Sequence, residues 1–563
     1  MDVVIDNRLP YRIGSPILPA LPVVGDQSRH ETLLVISKAT EESALVWALA
    51  VTQIRKHFNT IGLNYEIEII DQRAHEGLHT MAIDPIQLNV NNWNEEILPT
   101  ILQHLNERKW LSVDILRREH PLAKDLFPMS VVISAQDADN QDWWENILPG
   151  LRRYLNTNKM SHVQIVVLFL QDLFLCDGIQ TPPNMELLHT VYGEKDEWPM
   201  GASCSRAGVQ SSGTLGCRVV LQSEDKSLYM GLTNFHVLKG SNTSSVVIPS
   251  DPDHQIAIET SKKDVELAQD KVDYDQEKAI AKGCEAQESY QVTLRHQEMQ
   301  QQNISNFDRQ AGTIYATSGF SVWTESDKAS WIMDWGLFQT AADRTVSPRL
   351  PYHGGARLKS IRGDRYGSIL RKEYVYDVIK RGRSSGWTKG TISAIQSAVQ
   401  VSLLPPVEAA GPSQIQIPEY GPRALYCFAI ITKNHTPFLQ SGDSGAAIML
   451  NESGLDQNDG VIVGLGFTRN TSTEASYMIP IDLVMKSIEK DTDCKIVEPF
   501  YVGEVEAQKL GTKLLHSAEA GYFVGYGDSK KTKSAYILQL WNLWMANLHS
   551  SFFRGPKESR NST

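Results

Sequence analysis

The chain lacks the features that mark a secreted or membrane protein. Among 563 residues there are six cysteines, scattered at positions 176, 204, 217, 284, 427 and 494. The amino terminus, Met1-Asp-Val-Val-Ile-Asp-Asn-Arg8, has neither the basic start nor the apolar core of a secretory signal. No apolar run is long enough to span a bilayer. These absences predict a protein with reduced thiols in the cytoplasm, with the nucleus as an alternative, that is neither secreted nor bound to a membrane.

An excess of basic charge is also missing. The chain has 54 Lys and Arg residues against 66 Asp and Glu, a formal net charge of -12, which argues against a general nucleic-acid surface. It has no zinc-type spacing of Cys and His, no phosphate loop and no dinucleotide fingerprint. We therefore expect no cofactor, no metal and no nucleic-acid partner. A hydrophobic content of 41% in a chain of this length predicts an ordinary globular protein with several domains.

One short motif presents a single hydroxyl group. In Leu439-Gln-Ser-Gly-Asp-Ser-Gly-Ala-Ala-Ile448, Ser444 lies between Asp443 and Gly445 and precedes an apolar strand. This context is typical of a nucleophilic serine. Because a serine hydroxyl is a weak nucleophile alone, the interpretation requires a base and an orienting carboxylate elsewhere in the chain.

Candidates for both roles are present. His236 ends the segment Tyr229-Met-Gly-Leu-Thr-Asn-Phe-His236, in which an apolar strand runs into a polar turn. Asp334 lies in the apolar segment Trp331-Ile-Met-Asp-Trp-Gly-Leu-Phe338, where a carboxylate is costly to bury unless it is hydrogen-bonded. The Nδ1–H group of a histidine is a natural partner for it. The chain order His, Asp, Ser is that of chymotrypsin and differs from the orders in subtilisin and the α/β-hydrolases.

Residues of about 200 to 490 resemble a serine protease domain of the trypsin/chymotrypsin type. Five segments carry the resemblance in the family's order: Leu232–His236, Asp334–Phe338, Lys380–Thr391, Val461–Gly466 and Tyr477–Val484. The resemblance implies a chymotrypsin-like double antiparallel β-barrel. It also implies a protein or peptide substrate that is cleaved by the triad through an acyl-enzyme.

The resemblance assigns further residues to the site. The backbone N–H groups of Gly442 and Ser444 would form the oxyanion hole. The residue six positions before the nucleophile lies at the base of the primary specificity pocket in trypsin-like members, and here it is Phe438, which implies a cleft without a carboxylate for Lys or Arg substrates. Gly464 and Gly466, on the strand expected beside the substrate backbone, would leave that pocket open.

Activation is left open by the sequence. Many members of the family need a newly cut amino terminus that pairs with the acidic residue beside the nucleophile, here Asp443. About 200 residues precede the protease-like region, and no cleavage site stands out among them. Self-processing therefore stays an open alternative.

The spacing of the three residues predicts an insertion. His236 and Asp334 are 98 residues apart, and Asp334 and Ser444 are 110 apart, whereas the chymotrypsin template has about 45 and about 93. Residues 258–309 lack proline and are rich in charged and amide side chains, and Val265, Ala268, Val272 and Ala279 recur with the period of one helical face. Lys282-Gly283 interrupts the pattern. We expect a helical hairpin that projects from the barrel.

The remaining chain predicts a multidomain protein. Residues 1–30 are a proline-punctuated tail, and residues 31–195 alternate strand and helix patterns as a small α/β domain does. The protease-like domain covers 200–495, and 496–563 form a helical C-terminal extension whose main helix is Ser534–Leu548. By elimination, residues 31–195 are expected to have a regulatory or interaction role. A regulatory protein partner would bind through this domain or through the helical insertion.

Two other functions fit the same sequence. A protease fold that has lost or gated its activity could serve as a scaffold for interactions. An esterase or another acyl hydrolase could use the same three residues, and only its substrate would distinguish it.

Overall fold

The computed structural model describes most of the chain up to residue 504. The described residues are 32–37, 43–63, 66–71, 79–83, 89–105, 108–119, 128–176, 178, 181–193, 196–224, 226–240, 244–325, 329–354, 357–369, 376–400, 424–432, 436–451 and 460–504. The predicted tail 1–30 and the predicted helix Ser534–Leu548 lie outside them. Across the described ranges, no helix combines the length and the apolar character needed to cross a bilayer.

The amino-terminal part alternates strands and helices, as the sequence predicts. Its elements are β1 Thr32–Ser37, α1 Ser43–Thr60, β2 Glu66–Asp71, β3 His79–Met81, α2 over residues 90–104 (Val90–Asn92, Trp93–Ile97 and Leu98–His104), β4 Trp110–Glu119, β5 Met129–Ala135, α3 over residues 143–157 (Trp143–Ile147 and Leu148–Thr157), β6 Gln164–Phe169, β7 Phe174–Leu175 and α4 Met185–Gly193.

The next part contains the helical insertion. Its elements are β8 Glu197–Pro199, β9 Ser203–Arg206, β10 Gly213–Thr214, β11 Arg218–Ser223, β12 Lys226–Thr233, α5 Phe235–Leu238, β13 Ser245–Val247, α6 Asp251–Lys282, α7 Glu288–Ser305, β14 Gln310–Thr317, β15 Ser321–Glu325, β16 Ala329–Met333 and β17 Gly336–Gln339.

The last described part is mostly strands. Its elements are β18 Thr345–Ser347, β19 Arg349–Gly354, β20 Arg357–Arg362, β21 Arg365–Ser368, β22 Tyr376–Gly382, β23 Gly386–Gln400, β24 Ala424–Ile431, β25 Ala447–Leu450, β26 Ile462–Arg469, β27 Ser476–Pro480, α8 Ile481–Thr492, β28 Lys495–Glu498 and β29 Phe500–Glu504. Residues 496–504, at the start of the extension predicted to be helical, are therefore mainly extended.

Two large sheets hold most of these strands. The first runs in the order β10-β9-β13-β14-β17-β12-β11-β28 with antiparallel neighbours. The second runs β15-β16-β24-β27-β26-β25-β22-β23-β4-β5-β6, and β3, β7 and β21 pair with its members. The pairs β1–β2, β8–β18 and β19–β20 form three separate two-stranded sheets. Mixed sheets with some helices agree with the β-rich class predicted for the protease-like part.

The second sheet runs across the predicted domain boundary near residue 195. Strand β4 pairs with β23 through Ala398 opposite Val113. The amino-terminal strands thus extend the sheet that carries β25 and β26. The limits of the predicted domains stay a prediction, and the backbone hydrogen bonds between β4 and β23 show that the two parts share a layer.

The helical hairpin forms where the sequence predicts it, with an earlier start. Helix α6 begins at Asp251, where Pro252 occupies the first turn and needs no backbone partner. It ends at Lys282, because Gly283 adopts a left-handed conformation (φ 64°) that favours glycine. Ala268 and Val272 pack against Leu294 of α7 along the face that the sequence pattern identifies.

Candidate active site

His236 and Asp334 meet in a fully buried hydrogen bond. The Nδ1 atom of His236 lies 2.5 Å from Oδ2 of Asp334, and both side chains are inaccessible to solvent. The backbone N–H of His236 also donates to Oδ1 of the same carboxylate at 3.1 Å. Because both carboxylate oxygens bind the same residue, they fix the position and the plane of the imidazole.

The ends of the strands place these two side chains. His236 lies in the single turn α5, directly after β12 of the first sheet, and Asp334 lies in the crossing from β16 of the second sheet to β17 of the first. The side chain of Asn234 donates to the backbone carbonyl of Asp334 at 2.6 Å and holds the two segments together. The carboxylate predicted in an apolar segment therefore has the partner that its burial requires.

Ser444 lies in a tight turn just before β25. Gly442 and Gly445 flank it with φ of 93° and 90°. A Cβ atom on Gly445 would lie 2.1 Å from Oγ1 of Thr233, so only glycine lets this turn approach the end of β12. The glycines of the motif are therefore needed to bring the serine loop to the histidine strand.

Thr214 on β10 links the serine loop to the segment that carries the histidine. Its N–H donates to the carbonyl of Ser444 at 2.7 Å, and its hydroxyl donates to the carbonyl of Gly442 at 2.8 Å. Its own carbonyl accepts the hydroxyl of Thr233 at 2.8 Å. Beside it, Gly213 packs so tightly on Val237 that a Cβ atom would lie 2.3 Å from the valine methyl. These contacts bring the histidine and serine segments to one place between the two sheets.

The hydroxyl of Ser444 donates to the carbonyl oxygen of Phe467 at 3.0 Å. A hydroxyl has one hydrogen, so in this rotamer the hydrogen is directed to Phe467 and away from His236. Proton transfer to the imidazole requires the side chain to turn about its Cα–Cβ bond. Such rotamer changes take picoseconds to nanoseconds in exposed side chains and are slower in packed ones.

The two backbone amides predicted for the oxyanion hole converge on one oxygen atom. The N–H of Gly442 and the N–H of Ser444 donate to the carbonyl of Cys176 at 2.7 and 3.0 Å. Two N–H groups aimed at a single carbonyl oxygen beside a serine hydroxyl form the arrangement that stabilises a developing oxyanion. The carbonyl that occupies this position belongs to Cys176 of the same chain.

Asp443 pairs with a buried lysine. The ammonium group of Lys380 lies 2.7 Å from Oδ2 of Asp443, and neither side chain is accessible to solvent. Burial alone would raise the pKa of Asp443, but the charge of Lys380 and hydrogen bonds from Ser385 and from the N–H of Gln440 outweigh it and keep that pKa below its ordinary value. Lys380 thus places a buried positive charge beside the acidic residue that precedes Ser444.

The three predicted substrate-binding residues lie near this loop. Phe438 is fully buried, and its ring centroid is 5.8 Å from the ammonium of Lys380. Gly464 and Gly466 are on β26, where a Cβ atom would lie 2.4 Å from the sulfur of Met478 and 3.0 Å from the side chain of Leu439. The segment Phe174–Cys176 contacts Phe467, Thr468 and Arg469 of β26 instead, further along the strand than either glycine. The roles of these three residues in substrate binding stay a prediction.

Sequence reasoning did not find Cys176, Thr214, Lys380 or Phe467. Thr214 and Phe467 act through backbone atoms or a common hydroxyl, and no local pattern marks such a contact. Lys380 lies in a segment noted for its resemblance, where a lysine directly after the apolar pair Val378-Ile379 was the available signal.

Comparisons with known proteins give a distant match. No protein-family model matches the chain, and a search of curated proteins finds no match. Among solved structures, a crystal structure of Nocardiopsis protease (NAPase) aligns over 53% of this chain and 98% of its own, at 10% identity and a TM-score of 0.26. A TM-score this low carries no weight for function, so the activity of the protein is inferred from the geometry of the site alone.

Proposed function

We propose that this protein is an intracellular serine endopeptidase with a chymotrypsin-like double antiparallel β-barrel, which hydrolyses protein or peptide substrates with His236, Asp334 and Ser444. One observation carries the proposal. The amides of Gly442 and Ser444 converge on a single carbonyl oxygen at 2.7 and 3.0 Å, directly beside a serine whose loop contacts the histidine segment.

Each group has a defined task in this reaction. His236 accepts the proton of Ser444 as the hydroxyl attacks the substrate carbonyl, and later returns it to the leaving amine. Asp334 holds the imidazole in the tautomer with hydrogen on Nδ1 and stabilises the imidazolium that forms. The two amides bind the oxyanion, and losing one such donor typically costs about 10²–10³-fold in turnover.

A fluorophosphonate probe tests this proposal. We expect mass spectrometry to find the probe on Ser444 of the wild-type chain and on no residue of Ser444→Ala. Ser441→Ala is the matched control, because it removes a hydroxyl from the same loop and should keep the label. Since the carbonyl of Cys176 competes for the same amides, the probe is used at saturating concentration and followed over hours. A wild-type chain that stays unlabelled while folded contradicts the proposal.

A gated protease is the second candidate. Two observations favour it, namely the hydrogen bond of the Ser444 hydroxyl to Phe467 and the occupied amides of Gly442 and Ser444. A gated enzyme is labelled after a lag that shortens when the segment containing Cys176 is displaced. A scaffold without activity is never labelled.

The remaining assignments extend the proposal. Reduced thiols support an intracellular site, and no disulfide joins any of the cysteines in the described parts of the chain. Burial raises the pKa of Cys204 and of Cys217 to about 12, which keeps both as thiols. A regulatory partner is proposed to bind residues 31–195 or the hairpin. Hydrolysis of simple esters without any cleavage of peptides would instead identify an acyl hydrolase.

A further inference from the structure

The segment before Cys176 lies along β26 as an added strand. Strand β7 is antiparallel to β26, with Leu175 opposite Thr468. The N–H of Cys176 donates to the carbonyl of Phe467 at 3.3 Å, and the hydroxyl of Thr468 donates to the carbonyl of Phe174 at 2.8 Å. An extended peptide that adds a strand to an exposed edge is a common way for a protein to hold a peptide ligand.

The same segment is also held after Cys176, at Gly178. The N–H of Gly178 donates to the carbonyl of Ser212 at 3.0 Å, and its carbonyl accepts from the guanidinium of Arg383 at 3.3 Å. Arg383 is itself buried, and its guanidinium pairs with both carboxylate oxygens of Asp253. The segment is thus held by residues before and after Cys176, and the carbonyl of Cys176 lies on the amides of Gly442 and Ser444.

We infer that the peptide bond between Cys176 and Asp177 is a substrate of this chain's own active site, so that the protein cuts itself into residues 1–176 and 177–563. The inference rests on the proposed function and adds its first substrate. The carbonyl that lies on the oxyanion donors is the one that the serine attacks. In this protein that carbonyl belongs to Cys176.

The reaction balances with water as the only co-reactant. Oγ of Ser444 bonds to the carbonyl carbon of Cys176 as His236 takes the hydroxyl proton, and the oxyanion rests on Gly442 and Ser444. The bond from that carbon to the nitrogen of Asp177 then breaks, and His236 gives its proton to the leaving amine. Water attacks the resulting ester and gives one proton to the freed Oγ through His236, and the new carboxylic acid on Cys176 releases the other proton to solvent and becomes a carboxylate.

Intramolecular placement favours this bond over any external substrate. Well-oriented groups within one molecule reach effective concentrations of about 10⁵–10⁸ M, far above the concentration of any peptide in solution. The segment must leave the amides before another substrate can use them. Self-cleavage would therefore be the first turnover of each new molecule.

Cutting alone would not empty the site. The amino-terminal fragment stays paired with the rest through β4 and β23, and the new carboxylate of Cys176 keeps the two amides as partners. Asp443 does not need the new amino terminus as an ion-pair partner, because Lys380 already pairs with it. We therefore expect the two fragments to copurify and to separate only under denaturing conditions.

Intact-mass analysis of the full-length chain tests the inference. We expect wild type to yield two fragments whose new ends are Cys176 and Asp177, and Ser444→Ala to remain a single chain. Cys176→Ala should still be cut, because it keeps the backbone contacts. Cys176→Pro should remain uncut, because proline has no N–H for Phe467 and disturbs the pairing with β26. Circular dichroism checks that each variant is folded.

Fluorophosphonate labelling separates the two proposals. The probe should label Cys176→Pro faster than wild type. In wild type the carbonyl of Cys176 occupies the amides of Gly442 and Ser444, whereas in the variant these amides are vacated. A folded wild-type chain that becomes labelled at Ser444 while the bond after Cys176 stays intact, or is cut elsewhere, overturns self-cleavage and leaves the peptidase standing. A chain that is neither labelled nor cut, with Cys176→Pro equally inert, overturns both.

Cleavage within one molecule is checked by mixing. Wild type is incubated with a mass-tagged Ser444→Ala chain. We expect the tagged chain to stay intact and the wild-type rate to be independent of dilution. Complete cleavage of the tagged chain at the same rate would contradict an intramolecular reaction.

Discussion

At the scale of single residues, Asp334 uses its two oxygens for one purpose. Oδ2 binds Nδ1 of His236, and Oδ1 binds the backbone N–H of the same residue. The carboxylate thus contacts both the ring and the main chain, so the ring cannot turn over without losing its partner. The side-chain amide of an asparagine at this position has one oxygen that accepts a hydrogen bond, and its NH₂ group, in place of the second oxygen, only donates.

Asp334→Asn should strongly reduce turnover while the protein stays folded. The asparagine NH₂ group would donate to Nδ1, which places the ring hydrogen on Nε2 and leaves no lone pair there for the proton of Ser444. By analogy with other triads we expect a loss of about 10⁴-fold in kcat near neutral pH. Initial rates on a peptide substrate measure it, with thermal melting as the fold control. A loss smaller than tenfold would show that this carboxylate does not orient the base.

The predictable residues are those with a local signature. Ser444, His236 and Asp334 each stand in a short segment whose pattern fits one chemical role, so the sequence identifies them as candidates. Cys176 has no such local pattern, because its role depends on backbone hydrogen bonds to residues more than 260 positions away. A backbone carbonyl is present at every residue, and only the fold determines which one reaches the amides.

At the scale of elements, the same contrast holds for helices and short strands. The hairpin α6–α7 is long and periodic, so its pattern predicts it, and the error is confined to its ends, which are Asp251 and Ser305 instead of residues 258 and 309. Strand β7 has two residues, and no period can be read from two residues. It forms because Thr468 and Arg469 extend beyond the part of β26 that pairs with β25, and β7 pairs with these two residues.

Leu294→Ala should loosen the outer part of the hairpin. Leu294 packs with Ala268 and Val272 in a small cluster set apart from the large sheets. Removing a largely buried leucine side chain costs about 2–5 kcal/mol, and the small size of this cluster favours the lower end. Hydrogen exchange in α6 and α7 should therefore speed up, with little change in β25 and β26.

Val292→Ala is the matched control for that experiment. Val292 lies two residues away on α7 and is 54% exposed, so its removal should leave exchange nearly unchanged. If both variants behave alike, the hairpin is not held by the cluster around Leu294. If Leu294→Ala also speeds exchange throughout the sheets, the hairpin and the sheets unfold as one unit.

At the scale of the whole molecule, one histidine ties the amino-terminal part to the insertion. His254 on α6 hydrogen-bonds through Nδ1 to the hydroxyl of Tyr192 on α4 at 2.7 Å. Burial, together with the charge of Arg309, lowers the pKa of His254 to about 4, although the charge of Asp251 opposes this shift. The neutral ring accepts the tyrosine hydrogen, and a protonated ring could not.

This histidine should make the folded state less stable in weak acid. The unfolded chain binds the proton below about pH 6.5, whereas the folded chain resists it until about pH 4, so the free energy of unfolding falls as the pH drops through this window. Because the ring is only half-buried, we discount the full shift and expect an effect on the order of 1–2 kcal/mol. Urea unfolding at pH 7 and pH 4.5 measures this change in the free energy of unfolding.

Two histidine variants test the assignment. His254→Asn keeps an acceptor for Tyr192 without a titrating group and should reduce the pH dependence by this amount. His296→Asn, at an exposed position on α7, is the control and should leave the dependence unchanged. Since Asp443 and other buried carboxylates act on both variants equally, the difference between them isolates His254, and parallel curves would show that its protonation is not linked to folding.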